Sequence, residues 1–276
     1  MPKEENRNRE HLFEKSALVR KSILDILYKA GASHLGSNMS MVEILVAIYE
    51  CLDTKKIILN SKDRSRVFVS KGHAAAVTYS VLKHFDIITQ ESLDHYHLND
   101  SYLTGHVNHF VEGVEHSTGA LGHGINVAVG CALGMKARGY LDEKIYAVLG
   151  DGEIQEGSVW EAFMFVAHKR LNNLISFIDN NKISSITDTS KVINMEPLTN
   201  RFKGFGFEVF DIDGHDINLI VSSIKKANQL EIPSIIICNT IKGKGIPFAE
   251  NEPIWHYKSL SEDEYKLALN HLEFRK

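Results

Sequence analysis

Ile145-Tyr-Ala-Val-Leu-Gly-Asp-Gly152 and Leu174-Ile-Ser-Phe-Ile-Asp-Asn-Asn-Lys-Ile183 flank one helical stretch, and their reading decides the fold. Ile145 to Leu149 is a short apolar run ended by glycine, the pattern of a buried strand. Ser158 to Leu171 contains neither Gly nor Pro and reads as a helix. Leu174 to Ile178 is a second apolar run that leads directly into the polar Asp179-Asn-Asn-Lys182. Strand, glycine turn, helix and strand form one βαβ unit. Its two strands run parallel, so both polar ends fall at the same sheet edge. The expected fold is α/β, a doubly wound and mostly parallel sheet with helices on both faces.

That edge is where open α/β sheets bind ligands. Asp151 offers a carboxylate oxygen and Asn181 a carboxamide oxygen, hard donors suited to Mg²⁺ or Ca²⁺. The flanking glycines let backbone approach a diphosphate, and Gly152 can aim its N–H at a phosphate oxygen. A glycine turn with an Asp cap explains Gly-Asp-Gly equally well when it stands alone. Asn180-Asn181 in register at the next strand end argues for the ligand site.

Gly150-Asp-Gly152 followed, after residues 153 to 179, by Asn180-Asn181 resembles the thiamine-diphosphate signature. The fuller Gly150-Asp-Gly-Glu-Ile-Gln-Glu-Gly-Ser-Val-Trp-Glu-Ala162 resembles transketolase in particular. Other matches run in consistent order from about residue 12 to 258: Ala32-Ser-His-Leu-Gly-Ser-Asn-Met-Ser40, Lys71-Gly-His73, Gly105-His106, Thr118-Gly-Ala-Leu-Gly-His-Gly124 and Trp255-His256. The resemblance implies the thiamine-diphosphate-binding fold of the diphosphate (PP) type. It makes Asp151, Asn181 and the Ile183 carbonyl the ligands of a Mg²⁺ (or Ca²⁺) that bridges the diphosphate. It places Gly119, Leu121, Gly152, Glu156 and Asn181 in the cofactor site, Glu156 at the contact between active-site partners. His34, His73, His106 and His256 become the catalytic, substrate-facing histidines, with His73 and His256 also touching cofactor. Ser33, Leu35, Val107 and Tyr257 depart from the family text, and His123 stands where many relatives have Gln.

Composition sets the bounds. A chain of 276 residues with 43% hydrophobic and 24% charged residues suits one sizeable α/β domain. We expect that domain over residues 12–276, behind a charged, frayed extension at 1–11. A net charge of −4 gives no reason to expect nucleic acid or an anionic membrane as partner. No apolar run approaches the roughly 18 residues of a membrane span, and the first residues lack a signal peptide's apolar core. Cys51, Cys131 and Cys238 read as reduced core cysteines of a cytoplasmic protein.

The remaining chain supplies further expectations. Leu12 to Ala30 carries a helical apolar stripe stopped by Gly31, and Ser40 with Glu43 reads as a capping box opening a helix to about Leu52. Arg66 to Ser70 is a strand with His73 at the start of the helix after it. Residues 85 to 118 are irregular and rich in histidine, without the spacing of a familiar zinc site. Gly130 and Gly134 permit a close helix crossing. The helix from Ser158 is apolar nearly all round, which burial or a subunit interface would explain. A loop covers 184 to 196, a helix starts at Pro197, and strands lie at 207–211 and 234–238, with an Asp213-Gly-His-Asp216 cap between them. Lys242-Gly-Lys-Gly245 offers charge at the phosphate edge or is a solvated basic turn. Ser261 and Glu264 cap a last helix.

By resemblance, this is the N-terminal, diphosphate-binding subunit of a split transketolase. Ketol transfer between sugars or sugar phosphates would then need a C-terminal partner subunit carrying the pyrimidine-binding domain, in an α₂β₂ assembly. The alternatives are a subunit of a 1-deoxyxylulose-5-phosphate synthase-like enzyme or of a 2-oxoacid dehydrogenase (its α chain), and a non-catalytic diphosphate-binding regulatory subunit.

Overall fold

In a computed structural model, which describes residues 2–140 and 142–273, five strands form one parallel sheet in the order β1-β2-β3-β5-β4. These are β1 (Arg66–Val69), β2 (Ile145–Gly150), β3 (Leu174–Asn180), β4 (Glu208–Asp213) and β5 (Ser234–Asn239). β2 and β3 are buried along their whole length, which is why their sequences read as continuous apolar runs rather than alternating ones. Their register pairs Ile145 with Leu174 and Gly150 with Asp179, so Asp151 leaves the sheet opposite Asn180, one residue before Asn181.

Each face of the sheet carries its own core. Helices Pro2–Ala30, Val42–Glu50, Ala75–His84 and Ile217–Ala227 pack with Val67, Tyr146, Phe177 and Ile236 on one face. Helices Gly124–Ala137, Gly157–Lys169 and Leu198–Gly204 pack with Phe68, Ala147, Ile178 and Ile237 on the other. Alternate residues along β2, Tyr146 and Ala147, thus serve opposite cores, as the pleat requires. Each wholly buried Val, Ile or Leu contributes roughly 1.5–3 kcal/mol. Among the described residues no helix is long and apolar enough to cross a membrane.

Three expectations change. The first helix begins at Pro2, so the stretch expected to fray is helical from there on, with proline at the position that tolerates a missing N–H. Ser40 and Glu43 do not form a capping box. The helix Val42–Glu50 takes Met41 as its N-cap without a side-chain bond, because Ser40 is spent on Asp179 and Glu43 on Arg20. Among the described residues Gly130 and Gly134 meet no other helix; each faces open space. By contrast, Asp216 caps the helix Ile217–Ala227, and Ser261 with Glu264 forms the reciprocal pair expected of a capping box.

Candidate active site

The C-terminal ends of β1, β2, β3 and β5 deliver Lys71, Asp151, Asn181 and Lys242 to one edge. All four side chains belong to buried residues. Asp151 Oδ1 accepts the Gly152 N–H at 2.8 Å, and its Oδ2 accepts the N–H of Lys182. Lys182 reaches that carboxylate because its backbone turns left-handed, φ 66°, immediately after Asn181. Asn181 Oδ1 in turn accepts the Ile183 N–H at 3.1 Å. One tight turn therefore gathers the Asp151 carboxylate, the Asn181 carboxamide and the Ile183 backbone.

Electrostatics mark the same place. Burial, and then the nearby Asp179 carboxylate, push the Asp151 carboxyl up to about 7. Its anion is disfavoured by that burial and that neighbouring charge despite its two N–H bonds, and a divalent cation bound there would relieve both. The donor set, one carboxylate, one carboxamide oxygen and one carbonyl, fits Mg²⁺ with room for phosphate oxygens. These residues fit a cation–diphosphate group. A cavity of about 750 Å³ opens beside them, lined by Asp151, Asn181, Ile183, Gln155, Thr240 and Lys244 among others.

Lys242 is not the solvated turn residue that sequence leaves open. It is 1% exposed, and its Nζ donates to the Ser184 carbonyl at 2.6 Å and the Ile183 carbonyl at 3.4 Å. Burial, with Lys71 nearby, lowers its ammonium to about 8. Sequence reading also missed two buried carboxylates. Asp179 takes Lys71 Nζ at 2.5 Å and Ser40 Oγ at 2.6 Å, and also bonds Thr240. Glu153 ties three loops together, accepting from Ser70 Oγ at 2.5 Å and from the N–H groups of Gly122 at 3.0 Å and Gly150 at 3.2 Å. Only the position of Asp179 at a strand end hinted at the first.

The four predicted histidines converge. His34 lies 5.3 Å from His73, 5.7 Å from His106 and 5.0 Å from His256, ring centre to ring centre, and His73 lies 5.0 Å from His256. Asn38 fixes two of their backbones, its amide donating to the carbonyls of His34 at 2.8 Å and His73 at 3.4 Å. His73 sits in the turn before the helix Ala75–His84, and Gly72 beside it is required by contact: a Cβ there would stand 2.6 Å from the Thr118 carbonyl. The cluster joins the carboxylate side through Lys71, whose Nζ reaches the Ser37 carbonyl at 3.1 Å, and Ser37 Oγ, 3.3 Å from His256 Nδ1.

Three of these imidazoles, His34, His73 and His256, titrate below the near-neutral range expected of the free side chain. Burial first, and neighbouring cations second, lower His34 to about 4 and His256 to about 3, and hold His73 far below its ordinary value. They are neutral at pH 7, each with one donor and one acceptor nitrogen. His97, read only as surface or structural, comes close enough to lower both His34 and His106. Its neighbours His95 and His109 instead bond the Glu91 carbonyl and Ser117 Oγ, both at 2.7 Å.

The remaining predicted cofactor residues lie on the exposed side. Gly119 and Leu121 are exposed, and a Cβ on Gly119 would stand 3.4 Å from His106. Gly152 borders open space. Glu156 is exposed as the N-cap of the helix Gly157–Lys169, without a side-chain cap bond.

A parallel α/β sheet of this strand order, with Asp151, Asn181 and the histidine cluster at its carboxyl edge, is the thiamine-diphosphate-binding fold of the PP type. The chain belongs to the transketolase N-terminal family, described as the transketolase, thiamine diphosphate binding domain, whose family model matches residues 14–276. It is 38% identical to an apulose-4-phosphate transketolase subunit from Actinobacillus succinogenes, over 97% of this chain and 98% of that protein. It is 36% identical to a 6-deoxy-6-sulfo-D-fructose transketolase subunit from a Clostridium species, over 93% of this chain and 94% of that one. The transketolase of Campylobacter jejuni superposes with a TM-score of 0.86 at 32% identity, covering 95% of this chain. The match spans only 42% of that longer chain.

Proposed function

We propose that this chain is the diphosphate-binding half of a two-subunit transketolase. With thiamine diphosphate, a divalent cation and a C-terminal partner subunit carrying the pyrimidine-binding domain, it moves a two-carbon ketol unit from a ketose to an aldose, either of them free or phosphorylated. The observation that carries this reading is the meeting of Asp151, Asn181 and Ile183 in one turn, joined through Lys71 and Ser37 to the four-histidine cluster. Two relatives that match nearly end to end are named as transketolase subunits.

Thiamine diphosphate supplies the carbanion chemistry when bound. Asp151, Asn181 and the Ile183 carbonyl hold Mg²⁺ (or Ca²⁺), and Gly152 and Gly119 leave space for the cofactor beside them. His34, His73, His106 and His256 grip sugar hydroxyls through their ring nitrogens and pass protons between them. Glu156 and Leu121, exposed in the single chain, face the partner that completes the site. The exposed apolar sides of helices Gly124–Ala137 and Gly157–Lys169 support contact with further subunits, as an α₂β₂ assembly would need.

The test is a calorimetric titration of thiamine diphosphate with Mg²⁺, using the chain alone and then mixed with candidate C-terminal subunits. Tight binding with ketol transfer only in the mixture supports the proposal. Binding without turnover in any mixture turns the reading towards a regulatory role, and turnover with pyruvate as donor turns it towards a synthase-like enzyme.

A further inference from the structure

We propose that Arg20, Glu43 and His215 form a positioning network that fixes the turn at residues 241–244, and through it aims the Lys242 ammonium at the cation–diphosphate site. The inference rests on the function proposed above. The three residues come from distant parts of the chain: helix Pro2–Ala30, helix Val42–Glu50 and the turn after β4.

The bonding pattern is directional. Arg20 grips both carboxylate oxygens of Glu43, with Nη1 at 2.6 Å and Nη2 at 2.8 Å. Glu43 Oε2 lies 3.1 Å from His215 Nδ1. His215 Nε2 lies 2.8 Å from the backbone nitrogen of Ile241. A backbone N–H can only donate, so Nε2 accepts and the imidazole proton sits on Nδ1, donated to Glu43. Arg20 closes the circuit, its Nε donating to the Lys244 carbonyl at 3.3 Å. The network therefore holds the same turn at both ends, by the N–H of residue 241 and the C=O of residue 244.

Between those two anchors the turn has little freedom. Gly243 adopts φ +81°, bonds the Gly36 carbonyl at 2.9 Å, and a Cβ on it would collide with the Ala249 carbonyl. The Lys242 stem runs along Gly36, where an added Cβ would stand 3.0 Å from its Cγ. Its Nζ ends on the Ile183 and Ser184 carbonyls, the backbone of the metal turn itself. A buried ion pair is weak evidence for stability, because desolvation offsets much of its attraction. Glu43 nevertheless stays ionised, held at about 2 against full burial by Arg20 and His215. The placement of Lys242 is the structural feature that such a network serves.

The experiment compares the full chain with His215→Ala, His215→Gln and Glu43→Gln. Three quantities are read: amide hydrogen exchange over residues 241–245, thiamine diphosphate affinity at saturating Mg²⁺, and melting temperature. His215→Ala is expected to speed exchange in that segment and weaken cofactor affinity about tenfold, the usual scale for a supporting residue around a metal site. His215→Gln, whose amide can still accept from Ile241 and donate to Glu43, should recover most of both. Unchanged affinity and unchanged exchange in His215→Ala, even with a lower melting temperature, would overturn the proposal and leave a purely stabilising network. Should His215→Ala not fold, the nearly isosteric Glu43→Gln supplies the same comparison. Failure of the unmodified chain to bind cofactor, with or without a partner, overturns the cofactor reading instead. Faster exchange at 241–245 would then still support the clamp on the turn.

Discussion

Lys71 places its ammonium 2.5 Å from Asp179 Oδ2, reaching from the end of β1 to β3 across the intervening end of β2. It crosses at Gly150, whose missing side chain leaves its stem room: a Cβ there would already touch Lys71 Cδ at 3.4 Å. The first glycine of Gly-Asp-Gly is thus explained by a lysine as well as by a ligand. Both charges are buried, at 4% and 0% side-chain exposure. Asp179→Ala strands the ammonium, so we expect a loss of about 3–5 kcal/mol in urea unfolding. Replacing both partners, as in Lys71→Met with Asp179→Leu, should cost clearly less than the two single changes summed, by a double-mutant cycle.

A second expectation concerns pH. Asp151 carries a carboxyl raised to about 7, and a protonated carboxyl is a poor cation ligand. Cation binding must therefore release its proton at acid pH. Mg²⁺ affinity in the presence of thiamine diphosphate should rise as pH increases to about 7 and flatten above it. Asp151→Asn should both weaken binding and remove that dependence. Calorimetric titrations from pH 5.5 to 8.5 on the same protein decide it, and a flat profile in the unmodified chain would contradict the assignment.

The histidine cluster makes the chain without ligand sensitive to acid. Its folded pKa values lie below those of the unfolded chain, His34 at about 4 and His256 at about 3 against an ordinary 6.5. Between those values the unfolded state binds more protons, so stability is present above about 6.5 and is lost as pH falls towards 4. His256→Gln should unfold less steeply with acid than the unmodified chain, measured as melting temperature from pH 4 to 7. The same substitution should reduce turnover of the reconstituted enzyme without abolishing thiamine diphosphate binding.

Much of this arrangement was legible in sequence, and the legible part is local. Buried strands announce themselves as apolar runs, so Ile145–Leu149 and Leu174–Ile178 gave β2 and β3 and the shared edge of Asp151 with Asn181. The four histidines were found through motif text, since nothing in the spacing of residues 34, 73, 106 and 256 brings them together without the fold. What stayed hidden depends on long-range pairing. Ser40 and Glu43 fit a capping box locally, yet Asp179 and Arg20 claim them from other elements. Lys242 leaves a phosphate-edge charge and a solvated turn equally open in sequence, and only the Ile183 and Ser184 carbonyls explain its burial. Gly130 and Gly134 suggested a crossing inside the chain, where the structure leaves a bare helix side.

Gly72 offers a test of the loop that carries His73. An added methyl would press on the backbone of Thr118 and Gly119, at 2.6 and 2.7 Å, and backbone cannot swing aside as a flexible side chain does. Gly72→Ala should therefore separate the two loops, moving His73 away from the 118–119 segment proposed to touch the cofactor. We expect a loss of roughly 1–3 kcal/mol in stability from the overpacking. Cofactor affinity should fall with it, whereas Gly204→Ala, at an open position with ordinary backbone, should leave affinity unchanged. Equal affinities in the two variants would show that Gly72 does not shape the site.

The outward sides of two neighbouring helices bear on assembly. Val127 and Leu133 on the helix Gly124–Ala137 are 38% and 37% exposed, and Met164 and Phe165 on the helix Gly157–Lys169 are 49% and 39% exposed. The small residues Gly130 and Gly134 lie on the exposed side of the first helix, where a second surface can approach closely. An apolar strip of this kind, contiguous with the helix that Glu156 caps, suits a contact between subunits that also closes the cofactor site. Met164→Asp with Phe165→Glu removes no core contact, so the chain should keep its stability to within about 0.5 kcal/mol. It should nonetheless lose self-association by light scattering and, with it, turnover of the reconstituted enzyme. Retained assembly in that double variant would place the contact elsewhere on the molecule.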